Sequence, residues 1–513
     1  MRRRIYTWLI FLFVFIGCSL PLACNEAGLS EEKNEPKSKE VLSKPEGQSP
    51  DEIFSEPDEQ KQAEQKPDEA FLEPDEQDMD GASSEQYEQS PKEAPSEPEK
   101  STPKKLEGVV KWKGLDPKLP NDDLQSLSGI FTKAKILALG ESAHGSVGYS
   151  QAHTRMIKFA VEKFGYRRIL MEVLSDSRVL NQYVQTCKGD LWKILYNNPW
   201  KELHIERMKL YQWLCKYNQA NPNKKVSVHS VDPQKPWEDM PLIRTFLKKV
   251  STTLDKTYGE KLQTNCFGAN DAHQIDWAYK PETSAYHRTK SLPEGKHKAC
   301  LEAADGLALE MKKKSSDMTQ KTSKVEYLDA VDALRSLKAW QEKSYFLFKD
   351  TKKALAIREK AFGPSVLWKW ERNNPNKWPA ILVAHNLHIA KKPLIVASTR
   401  DPWVGLETVG VQLARALGEG YGAIAQTGYK VSAMFVKGFY PIHTHKDSLD
   451  LLLEPLGDVL FVDTKTKWVK EKGNWRIQEE MLSNGREYNL SSSFDGVLFH
   501  KHSAAAIRLK SAP

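Results

Sequence analysis

The sequence predicts an α/β fold in which a largely parallel central sheet is flanked by helices and partly covered by a helical insertion. Two observations predict this class: short apolar runs that end at Gly or at polar residues, and amphipathic helical patterns between those runs. Strands that alternate with helices in this way usually form parallel sheets. A third observation limits the fold to about residues 106–513, because the residues before them show neither pattern.

Seven apolar runs are predicted strands. The first run, residues 134–140, stops at Gly140, and the pattern after it predicts an amphipathic helix over residues 150–165 that ends at Gly165. The other six runs are residues 167–173, 225–232, 379–388, 422–428, 459–464 and 495–501. Residues 238–372 are instead rich in Lys and Glu and helical in pattern, so we predict that they form the insertion, as a lid or wall.

The first 23 residues have the features of a secretory signal. Three arginines precede an apolar run over residues 5–16, which is short for a membrane-spanning helix, and small residues and cysteines follow it. Cys24 comes directly after Ala23, as the lipidated cysteine does in bacterial lipoprotein signals, and Cys18 is the alternative site. We therefore predict a lipoprotein anchored through Cys24 to a membrane of the cell envelope, with a plain secretory signal as the alternative.

Residues 24–105 are predicted to be a disordered, acidic tether. They are rich in Glu, Pro and Gln, and the segment EPDEQ occurs at 56–60 and again at 73–77. Such a segment has too little apolar surface to offset the entropy of ordering. Residues 25–100 hold 24 acidic and 8 basic side chains, whereas the whole chain carries +7. Residues 101–513 are thus strongly basic, but their lysines are scattered and no nucleic-acid motif is present, so no nucleic-acid partner is predicted.

Four cysteines follow the predicted signal: Cys187, Cys215, Cys266 and Cys300. Their spacing contains no C-x-x-C pair, which argues against a zinc-finger or redox site. In an oxidising compartment such cysteines form disulfides. A pair between Cys266 and Cys300 is the first that we predict.

Ionisable side chains follow the four clearest predicted strands. In a parallel α/β sheet, ligands bind outside the carboxyl ends of the strands, so we expect these side chains to lie at one site. They are Glu141 and His144, Glu172, Asp232, and His385 and His388.

Three kinds of chemistry suit these residues. Ser142 lies in a near match to the G-x-S-x-G nucleophile elbow, but His144 replaces the closing Gly. Alternatively, His144, His385 and His388 with a carboxylate could hold a metal ion that binds water. The favoured chemistry is general acid–base hydrolysis, in which an imidazole beside a carboxylate takes a proton from water. It uses all the ionisable residues and needs neither a metal nor another cofactor.

Several motifs resemble those of the erythromycin esterase family. The segment LGESAHGSVGYSQAHTRMIKFAVEKFGYRRILMEV (139–173) resembles the family's opening motif of a strand, G-E-x-x-H-G, a helix and a second strand ending in Glu. REKAF (358–362) and VAHNLHIAK (383–391) resemble its later R-[DE] and A-H-N-x-H segments. The resemblance extends over about residues 106–510.

The resemblance implies hydrolysis of an ester, in named members the lactone of macrolide antibiotics, by a water molecule that a histidine activates. It implies that His144 is the general base, that Glu141 and Glu172 support it, and that His385 and His388 contact the substrate or the oxyanion. The family's Arg on the first helix is replaced here by His153, with Arg155 two residues later. We predict substrate contacts for His153, Arg155 and Asp232 as well. The alternative is a surface ligand-binding lipoprotein of the same fold that is non-catalytic or metal-dependent.

Overall fold

The computed structural model describes residues 106–172, 177–196, 205–267, 294–347, 349–395, 401–432, 448–479 and 482–506. All the described residues belong to one compact unit of the chain, which lies within residues 97–513. The predicted signal, the predicted tether and both candidate lipidation sites lie outside the described residues.

Eight strands form the central sheet, and the predicted α/β class is confirmed. Neighbouring strands from β10 to β4 run parallel, whereas β7 pairs antiparallel with β10 and β1 pairs antiparallel with β7. All seven predicted strands are present, and the short edge strand β1 is the one that the sequence pattern did not indicate. In spatial order the strands are β1 (Val109–Lys111), β7 (Val459–Asp463), β10 (Gly496–Ser503), β6 (Tyr421–Val431), β2 (Ile136–Glu141), β5 (Ala380–His385), β3 (Arg168–Met171) and β4 (Ser227–Ser230).

The centre of the sheet is apolar on both faces because helices cover both. Strands β2 and β5 are buried along their whole length. Side chains alternate between the faces of a strand, so Leu137 and Leu139 enter one core while Ile136 and Ala138 enter the other. The strand ends are therefore the places where this sheet can present polar groups.

Seventeen α-helices surround the sheet or extend from it within the described residues. They are α1 (Ser128–Lys133), α2 (Val147–Lys163), α3 (Ser177–Thr186), α4 (Leu191–Tyr196), α5 (Ile205–Ala220), α6 (Pro236–Val250), α7 (Thr252–Leu254), α8 (Glu260–Phe267), α9 (Glu294–Lys313), α10 (Ser315–Lys321), α11 (Lys324–Phe346), α12 (Thr351–Glu371), α13 (Asn386–Ile389), α14 (Val409–Leu417), α15 (Leu449–Leu453), α16 (Lys467–Lys472) and α17 (Leu490–Ser493). Shorter 3-10 helices span Asp122–Leu127, Pro222–Lys224, Gly418–Gly420 and Glu454–Leu456, and a π-helix spans Asp255–Gly259.

The helices divide between the two faces of the sheet and a separate core. Helices α2, α3 and α5 pack on one face, and α12 and α14 pack on the other. Helices α6, α8, α9 and α11 share a third core, which lies within residues 236–346. Helix α12 begins soon after α11, so it connects these insertion helices to the sheet.

Two disulfides cross-link the chain. The predicted bond between Cys266 and Cys300 is confirmed, and it joins α8 to α9 inside the third core. A second disulfide joins Cys187, just after α3, to Cys215 in α5. Within the described ranges, no helix has both the length and the apolar character that crossing a membrane requires.

A two-stranded hairpin completes the fold on the face that α12 covers. It consists of β8 (Asn474–Glu479) and β9 (Leu482–Asn489), and Trp475, Ile477 and Tyr488 anchor it in the core. The pairing register shifts between Ile477 and Glu479, which is a β-bulge. Bulges change the direction in which a side chain points and are frequent beside active sites.

Candidate active site

The end of β2 holds a hydrogen-bonded pair of Glu141 and His144. Glu141 is the last residue of β2, and its register partner in β5 is His385. Nδ1 of His144 donates to Oε1 of Glu141 over 2.7 Å. A proton on Nδ1 leaves the lone pair of the neutral imidazole on Nε2. The His144 side chain is 24% exposed and that of Glu141 only 4%, so the imidazole is the member of the pair that solvent reaches.

The surroundings of Glu141 keep its carboxyl group ionised. Burial by itself would raise the pKa of Glu141, but the hydrogen bond from His144 and the charge of Arg207 lower the pKa to about 2. Nη2 of Arg207, in α5, lies 3.8 Å from Oε2 of Glu141. A guanidinium is therefore close to this carboxylate, although it comes from α5 and not from the helix after β2.

His153 lies beneath the same strand end and is fully buried. Its Nε2 donates to the carbonyl oxygen of Gly140 over 2.9 Å, and its Nδ1 lies 3.9 Å from Oε2 of Glu141. Burial and the charge of Arg207 lower the pKa of His153 to about 4, so the ring is neutral near pH 7. His153 thus supports the end of β2, and its predicted contact with a substrate stays a prediction.

Arg155 lies on another side of α2 and is also fully buried. Its guanidinium pairs with Asp123 and donates to the carbonyl oxygens of Gly114 and Pro120. These partners lie in the segment between β1 and α1 and are not among the site histidines. The structure therefore gives Arg155 a role in holding that segment on the fold.

His385 lies beside His144. The centroids of the two rings are 5.3 Å apart in an edge-to-face arrangement. Nε2 of His385 donates to the carbonyl oxygen of Ser142 over 3.1 Å and lies 3.3 Å from Oε2 of Glu479. Burial lowers the pKa of His385 to about 3, so its imidazole is neutral at rest.

His388 lies between two carboxylates and is 2% exposed. Nε2 is 2.9 Å from Oε1 of Glu172, and Nδ1 is 2.8 Å from Oε1 of Glu359. Burial opposes the charged form of His388, but the two carboxylates outweigh it and raise the pKa of the imidazole to about 9. His388 is therefore a buried cation near neutral pH, and both its nitrogens face protein groups.

Arg358 extends this network of charges. Its Nη2 donates to Oε1 of Glu172 and to Oδ2 of Asp232, each over 2.7 Å, and its Nε donates to Oδ1 of Asp232 over 3.1 Å. The other oxygen of Glu172 accepts the backbone N–H of His385 over 2.7 Å. Although burial opposes it, the charges of His388 and Arg358 hold the pKa of Glu172 well below its usual range. Glu172 therefore contacts His388, Arg358 and the backbone of His385, and it positions all three. Asp232 contacts Arg358.

The His388 ion pairs predict a pH dependence of stability. Folding raises the pKa of His388 from 6.5 to about 9, so its contribution is complete below pH 6.5 and is lost as the pH rises through 9. The unmodified chain should therefore lose stability relative to His388→Gln as the pH rises. We expect the difference between their free energies of unfolding to shrink by roughly 3 kcal/mol over this window. Urea denaturation from pH 6 to 9.5 measures the difference.

His500→Gln is the matched control for this experiment. His500 is equally buried, but burial lowers its pKa to about 3, so its folded-state titration lies below the window. Its difference from the unmodified chain should change by about 1 kcal/mol at most, between pH 6 and 7.5 where the unfolded chain titrates, and should stay constant at higher pH. If the His388→Gln difference also stays constant above pH 7.5, His388 is not a cation in the folded protein.

Among the described residues, the hydrogen-bond partner of the Ser142 hydroxyl is a phenol and not a base. Its Oγ is buried and lies 2.6 Å from the hydroxyl of Tyr149. Burial raises the pKa of Tyr149 well above its usual value, so this phenol cannot serve as a base at neutral pH. A nucleophilic serine requires a neighbouring base within hydrogen-bond reach. The geometry thus favours the acid–base chemistry over the serine elbow.

A metal site through His388 is also disfavoured by geometry. Both nitrogens of His388 face carboxylates, and Nε2 of His385 faces Ser142 and Glu479. In the described part of the chain, no group of three or more His, Cys, Asp or Glu side chains is arranged to hold an ion.

Four residues of the cluster were not among the predicted site residues. Arg358 and Glu359 lie in REKAF, so the resemblance of that segment was a usable signal. Arg207 and Glu479 come from a helix and a hairpin without a recognisable motif. Their roles depend on the packing of distant segments, and no local pattern indicates them.

A parallel sheet with imidazole–carboxylate groups at the carboxyl ends of β2, β3 and β5 defines the class: an α/β protein with a site suited to hydrolysis. The chain belongs to the erythromycin esterase family, whose model matches residues 161–503. This membership supports a hydrolase that acts on esters. The matched range includes Glu172, Arg358, His385 and Glu479, and it begins after the Glu141–His144 pair.

The chain is similar to several known proteins. It is 22% identical to erythromycin esterase type II of Escherichia coli over 322 residues, which are 60% of this chain and 72% of that protein. A solved Bacillus cereus protein shares the fold with a TM-score of 0.64 and 19% identity, over 79% of this chain and 97% of the other. The solved structure of an erythromycin esterase mutant in its open conformation also shares the fold, with a TM-score of 0.62 and 18% identity. The match covers 76% of this chain and 97% of the mutant.

Proposed function

We propose that this protein hydrolyses an ester with a water molecule that His144 activates. The observation that carries the proposal is the Glu141–His144 hydrogen bond at the end of β2. With its proton held on Nδ1, the neutral His144 carries its lone pair on Nε2, which is the atom that takes a proton from water in this proposal, and the ionised Glu141 stabilises the imidazolium that forms.

The reaction then follows from the chemistry of esters. The oxygen of the activated water bonds to the ester carbonyl carbon while its proton moves to Nε2 of His144. When the tetrahedral intermediate collapses, the bond to the leaving oxygen breaks and His144 returns the proton to that oxygen. The products are a carboxylic acid and an alcohol, which remain in one molecule if the substrate is a lactone.

The proposed substrate class is a lactone of the macrolide type, because the family and the similar Escherichia coli protein are named for erythromycin hydrolysis. Incubation of the purified chain with a set of macrolides and simple esters, followed by mass spectrometry, tests this. We expect a product that has gained one water molecule. A ligand that raises the melting temperature but yields no product over hours would instead support a non-catalytic binding protein.

We also propose that the protein is anchored to a membrane of the cell envelope through Cys24, which follows a signal-like segment and precedes an acidic tether. Cys24→Ala is expected to move the protein from the membrane fraction to the soluble fraction, because the lipid acceptor is lost. Fractionation and immunoblotting measure this. Cys18→Ala is the matched control and should stay membrane-bound; release by Cys18→Ala alone would identify Cys18 as the anchor.

A further inference from the structure

Glu479 is a buried carboxylate whose position the fold determines closely. It is 0% exposed and ends β8 at the bulge of the hairpin. The preceding backbone N–H, of Gln478, donates to Oδ2 of Asp450 over 2.9 Å and to Oγ1 of Thr427 over 3.2 Å. The hairpin is thus tied to β6 directly before Glu479, which directs this carboxylate toward the end of the central sheet.

The two oxygens of Glu479 have different partners. Oε1 accepts hydrogen bonds from Nδ2 of Asn386 and from the hydroxyl of Tyr488, each over 3.2 Å. Oε2 lies 3.3 Å from Nε2 of His385 and 3.6 Å from Nη1 of Arg486. Arg486 also pairs with Asp401 over 2.9 Å, so it neutralises Glu479 only in part. A buried carboxylate is costly unless it is paired and hydrogen-bonded, and here one of its oxygens faces an imidazole.

We infer that Glu479 is the carboxylate partner of His385, so that the site holds two imidazole–carboxylate pairs side by side: Glu141 with His144, and Glu479 with His385. The role of the second pair in turnover rests on the proposed ester hydrolysis. Glu479 acts through His385 and is thus a positioning residue. Nε2–H of His385 donates to the carbonyl oxygen of Ser142, and the negative charge of Glu479, 3.3 Å from Nε2, favours a proton on that nitrogen and holds the ring beside His144.

The inner nitrogen of His385 agrees with this tautomer. Nδ1 accepts the backbone N–H of Leu387 over 3.4 Å, which requires a lone pair on Nδ1 and hence a proton on Nε2. The groups that face the two ring nitrogens of a histidine determine which nitrogen carries the proton.

Glu479→Gln is a sharp test because the surroundings determine how the amide points. Asn386 and Tyr488 both donate to the Oε1 position, so the carbonyl oxygen of the amide should occupy it. The amide NH₂ then faces Nε2–H of His385, and two donors oppose each other. We expect the proton of His385 to leave Nε2 or the ring to turn away from His144.

The first readout needs no substrate. Nitrogen-15 NMR of histidine-labelled protein reports the tautomer of each ring, and a His385→Gln spectrum identifies the His385 signals among the 13 histidines. We expect an Nε2–H tautomer for His385 in the unmodified chain and its loss in Glu479→Gln. Unchanged His385 signals in Glu479→Gln would overturn the inference, whatever the activity.

The second readout is turnover of the ester found by mass spectrometry. We expect Glu479→Gln to lower kcat about 10- to 100-fold with KM changed less than about threefold, and Glu479→Asp, which keeps the charge, to restore part of the loss. Glu487→Gln is the matched control, because Glu487 lies in the same hairpin but pairs with Arg476 over 3.5 Å. An equal loss in Glu487→Gln would show that the hairpin acts only through stability and would overturn the role in turnover.

These readouts separate the two proposals. If the unmodified chain hydrolyses no ester, the proposed function fails, while the NMR comparison still decides the pairing. If His144 is required for hydrolysis but the tautomer of His385 does not depend on Glu479, the pairing fails alone. If Glu479→Gln does not fold, Glu479→Asp takes its place in the NMR comparison. We then expect a weakened signal from the Nε2–H tautomer of His385, and an unchanged signal would contradict the pairing.

Discussion

Replacement of His144 by Ala is expected to lower kcat/KM for ester hydrolysis by about 10²–10⁴-fold, the usual contribution of a general base. The variant removes the group that takes the proton from water. Glu141 keeps its charge but loses its hydrogen bond to His144. Because the His144 side chain is 24% exposed, the fold should tolerate the change. Steady-state kinetics with a chromogenic or macrolide ester measures the loss, and circular dichroism checks the fold.

Ser142→Ala is the matched control, two residues away in the same loop. It removes the hydrogen bond to Tyr149 but no group that the proposed reaction uses. We expect its kcat/KM to stay within a few-fold of the unmodified value. A large loss in Ser142→Ala together with near-normal turnover in His144→Ala would favour an acyl-enzyme and would exclude the proposed role of His144.

Replacement of Arg358 by Met is expected to lower the free energy of unfolding by about 3–5 kcal/mol. Arg358 neutralises Glu172 and Asp232, which are 4% and 6% exposed at the side chain, and removal of a buried cation leaves these carboxylates uncompensated. Methionine keeps much of the volume, so the loss reports charge more than packing. Urea denaturation at neutral pH measures the change.

Arg415→Met is the control for this prediction. Arg415 also pairs with a carboxylate, Glu407, but the two side chains are 70% and 50% exposed. Surface substitutions of this kind usually change stability by less than about 0.5 kcal/mol. An Arg358→Met variant that is as stable as Arg415→Met would mean that the Glu172–Asp232 network does not depend on this cation.

Much of the fold could be predicted from local patterns. The strands follow from short apolar runs because a sheet covered on both faces buries every side chain of its central strands, as in β2 and β5. The disulfide between Cys266 and Cys300 was also predicted. The hairpin β8–β9 was not, because its strands, NWRIQE and LSNGREYN, contain no continuous apolar run.

The site was predicted less completely than the fold. Strand ends indicated that Glu141, Glu172 and His385 would lie together, and their contacts place them at one edge of the sheet. Strand ends do not show which polar group faces another, or which is exposed. The family resemblance implied that Glu141 and Glu172 both support His144, whereas in the structure Glu141 contacts His144 and Glu172 contacts His388.

By itself, the sequence determined the α/β class, the positions of the main strands along the chain and the positions at which ionisable groups leave the sheet. These depend on the period of apolar residues and on the rule that parallel strands end at one edge. Only the tertiary structure decided the partner of each group. Arg358 reaches a carboxylate 186 residues away, and Glu479 faces His385 from a separate hairpin. Such pairings set charge and tautomer, and they arise from packing between segments that no local pattern connects.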